Sequence, residues 1–258
     1  MTIKRLFFDI ETAPCLGWFW RPSYQTSISY DQIFEQAKII CICYKWEGKD
    51  KIYSLKWDSR QCDKKMVKQF IEIMNQADEI SGHNVDKFDT KWVRTRAIYH
   101  RLPMPPEYKS IDTLKESRKG FNFPSNRLDA ICRYLGIGKK IKTTSDLWLD
   151  VWRNRSSKAM NEMIKYCKMD VLILEEYFKI LDPYIKPKSS IADYRCNCPN
   201  CNSKRMVINQ RKVSAAGIKK VSLVCKDCGK YHTISEPTFN SEVKKRDNVK
   251  RPIPKIKF

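Results

Sequence analysis

Five side chains at three separated places carry most of the chemical information in this sequence. Asp9 and Glu11 close the apolar run Leu6-Phe7-Phe8-Asp9-Ile10-Glu11. Asp89 ends His83-Asn84-Val85-Asp86-Lys87-Phe88-Asp89, and Tyr166 and Asp170 bracket Tyr166-Cys167-Lys168-Met169-Asp170. Four carboxylates suit a pair of hard divalent cations, because oxygen-only ligands favour Mg²⁺ or Mn²⁺ over zinc. Such a pair activates water and stabilises a leaving oxygen when a phosphodiester is cut. Side chains at i and i+2 of a strand share a face, so Asp9 and Glu11 would reach one site. Burying two carboxylates side by side is costly without a cation. Tyr166 and Asp170, four apart, would share one face of a helix. Each feature alone has a plainer reading. An acid pair can end a strand in solvent, Asp89 can cap a helix, and a tyrosine can pack at a rim beside a surface acid. Their joint order gives the set its weight.

A second cluster has softer chemistry. Cys198-Pro199-Asn200-Cys201 and Cys225-Lys226-Asp227-Cys228-Gly229 are two Cys-x2-Cys knuckles with 23 residues between Cys201 and Cys225. Paired knuckles around a β-hairpin are the pattern of a zinc ribbon. The expected ligands of one structural Zn²⁺ are Cys198, Cys201, Cys225 and Cys228, with Cys196 and His232 left open as further candidates. Four thiolates leave no open coordination position, so no catalysis is expected there. A segment this small has little core, and zinc would supply its folding energy. Its lysines and arginines point to nucleic acid, with docking of a replication or repair protein as the alternative.

The elements that must position these groups follow from apolar periodicity. Residues 4–10 read as a buried central strand. Residues 38–46 are apolar on both alternating sets, as in a strand covered on both faces. Residues 51–57 read as its hairpin partner across the turn Glu47-Gly48-Lys49-Asp50. A helix over 64–76, a short strand over 79–81 and a helix over 89–100 follow, then prolines at 103, 105 and 106 break the chain. Residues 109–112 add a strand, Ser125 caps a helix that Gly136 ends, and a long helix covers 157–181. The pattern predicts a mixed sheet flanked by helices, an α/β fold with α+β as the alternative, followed by a small β ribbon. The expected boundaries are 1–183 for the first domain, 184–195 for a linker, 196–236 for the ribbon and 237–258 for a basic flexible tail.

Bulk properties agree with a polyanionic partner. The chain of 258 residues has a formal net charge of +21 and 42% hydrophobic residues. That balance suits nucleic acid. From residue 184 onward, 18 Lys+Arg against 5 Asp+Glu leave +13. No stretch is long and apolar enough to span a membrane, and the N-terminal run is too short for a secretory signal. The expectation is a reducing cytoplasm, the host's if the source is viral, with unpaired thiols. The loop Gly138-Lys139-Lys140-Ile141-Lys142 offers Lys140 and Lys142 to a phosphate backbone, or is simply solvated.

As a set, the motifs resemble the DEDD exonuclease superfamily, which has a ribonuclease H-like fold and includes proofreading domains of DNA polymerases. The similarity rests on Phe8-Asp9-Ile10-Glu11-Thr12, on His83-Asn84-x3-Phe88-Asp89 and on Tyr166-x3-Asp170. Ile111-Asp112-Thr113, Leu128-Asp129-Ala130 and Tyr134-Leu135-Gly136 fit as well, and the match spans roughly residues 3–181. One branch of the family has His five residues before the last Asp, where this chain has Lys165. The other has Tyr four before, which is Tyr166, so the similarity is to the tyrosine branch. The resemblance implies two Mg²⁺ or Mn²⁺ ions. Asp9 would bridge both, Glu11 and Asp170 would complete the first shell, and Asp89 would serve the second. Tyr166 would orient the attacking water, and with a pKa of about 10 it is no general base by itself. Thr12 would contact the terminal 3′-hydroxyl, while Asn84 and Phe88 would line the substrate groove, a buried ring being the simpler reading of Phe88. The implied activity is 3′→5′ hydrolysis releasing nucleoside 5′-monophosphates, preferably from single-stranded DNA. An exoribonuclease, an endonuclease on the same fold, or a non-catalytic nucleic-acid-binding protein are the alternatives.

Overall fold

The computed structural model describes residues 3–21, 27–138 and 143–248. The chain divides into two units, Lys4–Phe178 and Lys179–Phe258, the second also taking in Met1–Ile3. Each is described by itself. The division falls a few residues before the sequence-based boundary at 183.

The first unit is built on strand β1 (Arg5–Thr12). A small insert follows, in which β2 (Leu16–Gly17) pairs with β3 (Ile33–Glu35). Then come β4 (Ile39–Trp46), β5 (Ile52–Lys56), α1 (Lys64–Met74), β6 (Glu79–Gly82) and α2 (Asp89–Tyr99). Next are β7 (Ser110–Asp112), α3 (Thr113–Gly120), α4 (Leu128–Leu135), α5 (Asp146–Trp152) and α6 (Ser157–Leu181). The main sheet has the order β5-β4-β1-β6-β7, so β1 is the middle strand. It runs antiparallel to β4 and parallel to β6, and β6 is parallel to β7. The fold class is the expected mixed sheet flanked by helices.

Alternation along β1 sorts its side chains between two layers. Leu6, Phe8 and Ile10 join Phe70, Met66 and Met74 of α1 and Val93 of α2 in one core. Phe7 faces the other way, its ring 5.2 Å from that of Phe178 on α6. Asp9 and Glu11 continue the Phe7 face. Two buried basic side chains on the sheet are ion-paired. Arg5 bonds Glu79 at 2.7 Å and Glu47 at 2.8 Å, and Lys45 bonds Glu175 of α6. Asp63, fully buried, accepts from Arg96 Nε at 2.6 Å and from the Ile39 N–H at 3.1 Å, and contacts His100 Nε2 at 2.6 Å. Burial pushes its carboxyl up, but the Arg96 and His100 bonds outweigh that and hold it below the usual range.

Two local expectations shift. The helix read over 64–76 ends at Met74, and the α4 cap is Arg127 in extended backbone. Ser125 instead accepts from the Arg127 N–H at 3.4 Å. Gly136 ends α4 in the left-handed region, φ +70°, as expected of a glycine there. Lys140 and Lys142 lie outside the described residues.

In the second unit, β8 (Met206–Val213), β9 (Lys219–Cys225) and β10 (Tyr231–Ser235) form an antiparallel sheet of order β10-β9-β8. Val221 and Leu223 of β9 are buried. Helix α7 (Glu236–Asn248) lies against β9 and β10. It occupies the start of the segment read from sequence as a flexible tail. Ser235 Oγ accepts from the Thr238 N–H at 3.3 Å, an N-terminal cap that starts this helix. Residues 249–258 lie outside the described part. Among the described residues, no helix is long and apolar enough to cross a membrane.

Candidate functional site

The middle strand delivers two carboxylates to one place. Donor atoms of Asp9, Glu11 and Cys167 lie within 4.8 Å of one another. The ladder explains the company they keep: Asp9 stands opposite Cys43 and Glu11 opposite Cys41, so all four share one face of the sheet. Cys167 comes down onto that face from α6, its Sγ 3.4 Å from the Asp9 carbonyl and 3.6 Å from Asp9 Oδ2. Burial pushes the Cys167 thiol well above its ordinary value, with Cys41 and Cys43 adding to the rise. The β1–β4 register slips between Glu11 and Thr12. A bulge there re-aims the side chains at the end of the strand.

Asp89 reaches the same strand from α2. Its Oδ1 accepts from the Ile10 N–H, between the two acids, at 3.3 Å. It is the first residue of α2 rather than its cap, which is Phe88. Burial raises its carboxyl to about 7, with Asp112 adding to the rise against the pull of two backbone N–H groups. The turn before it is braced by Asp112, whose carboxylate accepts from the N–H groups of Asn84 at 3.0 Å and Asp86 at 3.2 Å. The same carboxylate caps α3 through Leu114 and Lys115. Gly82 is required here: a Cβ would meet Val85 at 2.7 Å.

Asp170 is buried on α6, three residues beyond Cys167 and so on a shared face. Tyr166, half-buried, sets its ring edgewise to Trp148 of α5 at 6.0 Å. The carboxylates of Asp89 and Asp170 stand outside the tightest donor group. Thr12 is half-buried at the end of β1. Asn84 takes the left-handed φ of +74° that the turn needs, a conformation Asn tolerates. Phe88 is not buried as its simpler reading held: it is 39% exposed, beside Trp92. The three histidines serve elsewhere. His83 contacts Thr113 Oγ1 and the Asn126 carbonyl, His100 contacts Asp63, and His232 contacts the Arg195 carbonyl. Sequence reasoning missed Cys167, Cys41, Cys43 and Trp148. Only the place of Cys167 inside Tyr166-x3-Asp170 could have signalled any of them.

The second cluster is tighter. The Sγ atoms of Cys198, Cys201, Cys225 and Cys228 all lie within 4.8 Å of one another. Three pairs are closer still, Cys198–Cys228 at 3.5 Å, Cys201–Cys225 at 3.6 Å and Cys201–Cys228 at 3.6 Å. Tetrahedral Zn–S bonds of about 2.3 Å would set sulfurs about 3.8 Å apart, so the cage fits such an ion. Gly229 turns the second knuckle with φ +73°. Burial raises the Cys198 and Cys201 thiols, Cys201 to about 11. A cation would have to displace those protons. Cys196 is buried but outside the four-sulfur cluster, and His232 is also outside it.

Residues 33–181 match the RNase H superfamily, and the chain belongs to that superfamily. The matched span begins after β1, so Asp9 and Glu11 precede it. The fold resembles that of the family B DNA polymerase from the hyperthermophilic archaeon Pyrobaculum calidifontis, with a TM-score of 0.54 and 16% identity. The likeness covers 71% of this chain and 25% of the polymerase, so the chain spans a quarter of that protein's length. No curated protein matches the chain. The unit is therefore a nuclease fold, and a nuclease fold implies contact with nucleic acid.

Proposed function

We propose that the protein is a metal-dependent 3′→5′ exonuclease of the tyrosine-type DEDD class, carrying a zinc ribbon at its C-terminal end. The observation that carries this reading is the meeting of Asp9 and Glu11 with a third acid, Asp89, bonded to the backbone between them. Tyr166 and Asp170 stand on the helix whose Cys167 touches Asp9. Superfamily membership supports it too.

Asp9, Glu11, Asp89 and Asp170 would hold two Mg²⁺ or Mn²⁺ ions. Bound there, the ions lower the pKa of water and stabilise the leaving 3′ oxygen. Asp89, whose carboxyl sits at about 7 without a cation, would bind as the carboxylate and release its proton. Tyr166, steadied by Trp148, would orient the attacking water through its hydroxyl. Thr12 would meet the terminal 3′-hydroxyl, and the exposed Phe88 would stack on a base. Cys198, Cys201, Cys225 and Cys228 would hold one structural Zn²⁺. The preferred substrate is single-stranded DNA, with RNA as the alternative within the same chemistry.

The test is digestion of a 5′-labelled DNA single strand with Mg²⁺ or Mn²⁺, beside Asp9→Ala. A ladder shortening from the 3′ end, absent in the variant, is expected. Cutting of a circular single strand would instead establish an endonuclease. A DNA strand left intact in every metal would move the reading to RNA, and an RNA strand left intact as well would remove the catalytic reading.

A further inference from the structure

The second unit carries a feature unrelated to the carboxylate site. Its sheet and the segment before it border a groove of about 810 Å³. Four cations line the groove, Lys186, Arg195, Lys212 and Lys220, and no Asp or Glu lines it. Among the described residues none of these four side chains is ion-paired. Other cations of the same unit are: Lys230 bonds Asp182 at 2.7 Å, Arg205 bonds Asp227 at 2.6 Å, and Arg211 bonds Glu236. The groove lining is therefore net positive, with the Glu242 carboxylate accepting from the Arg195 N–H at 3.2 Å.

The strand register sharpens the point. Lys212 stands directly opposite Lys220 in the β8–β9 ladder. Like charges directly opposite one another destabilise a sheet. The fold alone gains nothing from this pair, whereas an anion lying across both ammonium groups would remove the repulsion. Two aromatic rings complete the lining, Tyr184 and Tyr231, which are 73% and 47% exposed. Phosphate-binding cations interleaved with exposed rings match the chemistry of an unpaired nucleotide strand, whose charges repeat along its length and whose bases need flat partners.

We propose that this groove binds single-stranded nucleic acid, with phosphates on Lys186, Arg195, Lys212 and Lys220 and a base against Tyr231. The proposal rests on the charge and register of the second unit. It stands or falls separately from the nuclease reading.

The experiment measures fluorescence anisotropy of labelled oligothymidylate and oligouridylate with the full chain. No divalent ion is added, and no chelator, so that the four-cysteine cluster is undisturbed. Lys212→Ser with Lys220→Ser is expected to weaken binding about tenfold at low salt. It should also flatten the plot of log K against log salt by about 0.7 for each phosphate that the protein no longer neutralises. Tyr231→Ala is expected to weaken binding about fivefold or more, the range of one base stack, with the salt slope unchanged. Thermal melting of the double lysine variant should be equal to or higher than that of the parent, since a like-charge pair is gone. If that variant melts lower, Lys186→Ser with Arg195→Ser, outside the sheet, repeats the slope measurement. Unchanged affinity and slope in both cation pairs overturns the proposal. Equal competition by polyglutamate also overturns it, in favour of an acidic protein partner. The two oligonucleotides tell which sugar the groove prefers.

Discussion

The two candidate metal sites of this chain are built on opposite plans. The carboxylate site is assembled from far apart in sequence: Asp9 and Glu11 from β1, Asp89 from α2, Asp170 from α6. It sits in a unit with an apolar core of its own, in which the buried charges of Arg5 and Glu79 and of Arg96 and Asp63 are paired. The four-cysteine cluster is local, made of two knuckles on a sheet that buries few large side chains, such as Val221 and Leu223. In the first region the fold places the ligands, and a cation would add function. In the second the four cysteines would stand in for the core, and a cation would add the fold.

The largest effect expected follows from that contrast. Stripping metal from the full chain should abolish amide protection across residues 198–235 while strands β1, β4 and β6 remain protected. A structural zinc contributes about 10–16 kcal/mol to the folding of a small domain, far more than this sheet's side chains can. Hydrogen exchange read by mass spectrometry decides it. Retained protection at 198–235 would show that the sheet folds without an ion and would dissolve the comparison.

Next in size is a break in the first region's own scaffolding. Arg96→Met leaves Asp63 buried without its main partner, and losing one member of a buried pair costs about 3–5 kcal/mol. Asp63 is held below the usual carboxylate range. Its contribution is therefore present above the unfolded value, about pH 4, and is lost as pH falls through the folded value. The variant should unfold at lower urea at neutral pH, and the gap from the parent should narrow in acid. A loss below about 1 kcal/mol at neutral pH would mean the pair is not structural.

A smaller effect has the opposite sign. Asp89 is raised to about 7, so the folded chain holds a proton there that the unfolded chain has already released. In metal-free protein this group costs stability progressively as pH rises from about 4 to 7. Asp89→Asn, which carries no charge to bury, should melt several degrees above the parent at pH 8 and close to it at pH 4. Adding Mg²⁺ should raise the parent's midpoint more than the variant's, which would keep Asp9, Glu11 and Asp170 for one ion. Equal melting points at both pH values would mean that the buried carboxyl is unperturbed.

How much of this was legible beforehand depends on the range of the interactions. The apolar run before Asp9, the hairpin turn at Gly48 and the uninterrupted helix over 157–181 are local patterns, and the strands and helix appear where those patterns put them. The four-cysteine spacing is also local, and the four sulfurs converge. The long-range features were hidden. That Asp9 and Glu11 face Cys43 and Cys41 depends on the β1–β4 register, which no single segment encodes. The two-strand insert β2–β3, and the short helices α3 and α5, lack enough periodic residues to show a face. Asp112 matched the family pattern without a stated job, and its role in bracing the Asn84–Asp86 turn exists only once β7 lies beside β6. Helix α7 was obscured by Pro237 near its start and by the basic run Lys244-Lys245-Arg246 near its end, and its cap at Ser235 by the strand it ends.

The finest test of the comparison concerns Cys167, the sulfur that joins Asp9 and Glu11 in the oxygen site's donor group. Cys167 touches Asp9, yet burial keeps its thiol protonated at neutral pH, so it offers a hard cation nothing. A thiophilic cation can displace that proton, as it does in a cysteine cage. Cys167→Ser should therefore leave Mg²⁺-supported hydrolysis within about threefold, the size of a small change in packing. The same variant should relieve inhibition by Cd²⁺, which the parent would bind through Asp9, Glu11 and Cys167 together. Cadmium titration at fixed Mg²⁺, with the ribbon loaded beforehand, reads both numbers. Identical inhibition in parent and variant would show that the sulfur is only packing. A large loss of Mg²⁺ activity would show that it positions Asp9, and the division between an oxygen site and a sulfur site would then be less clean than the two clusters suggest.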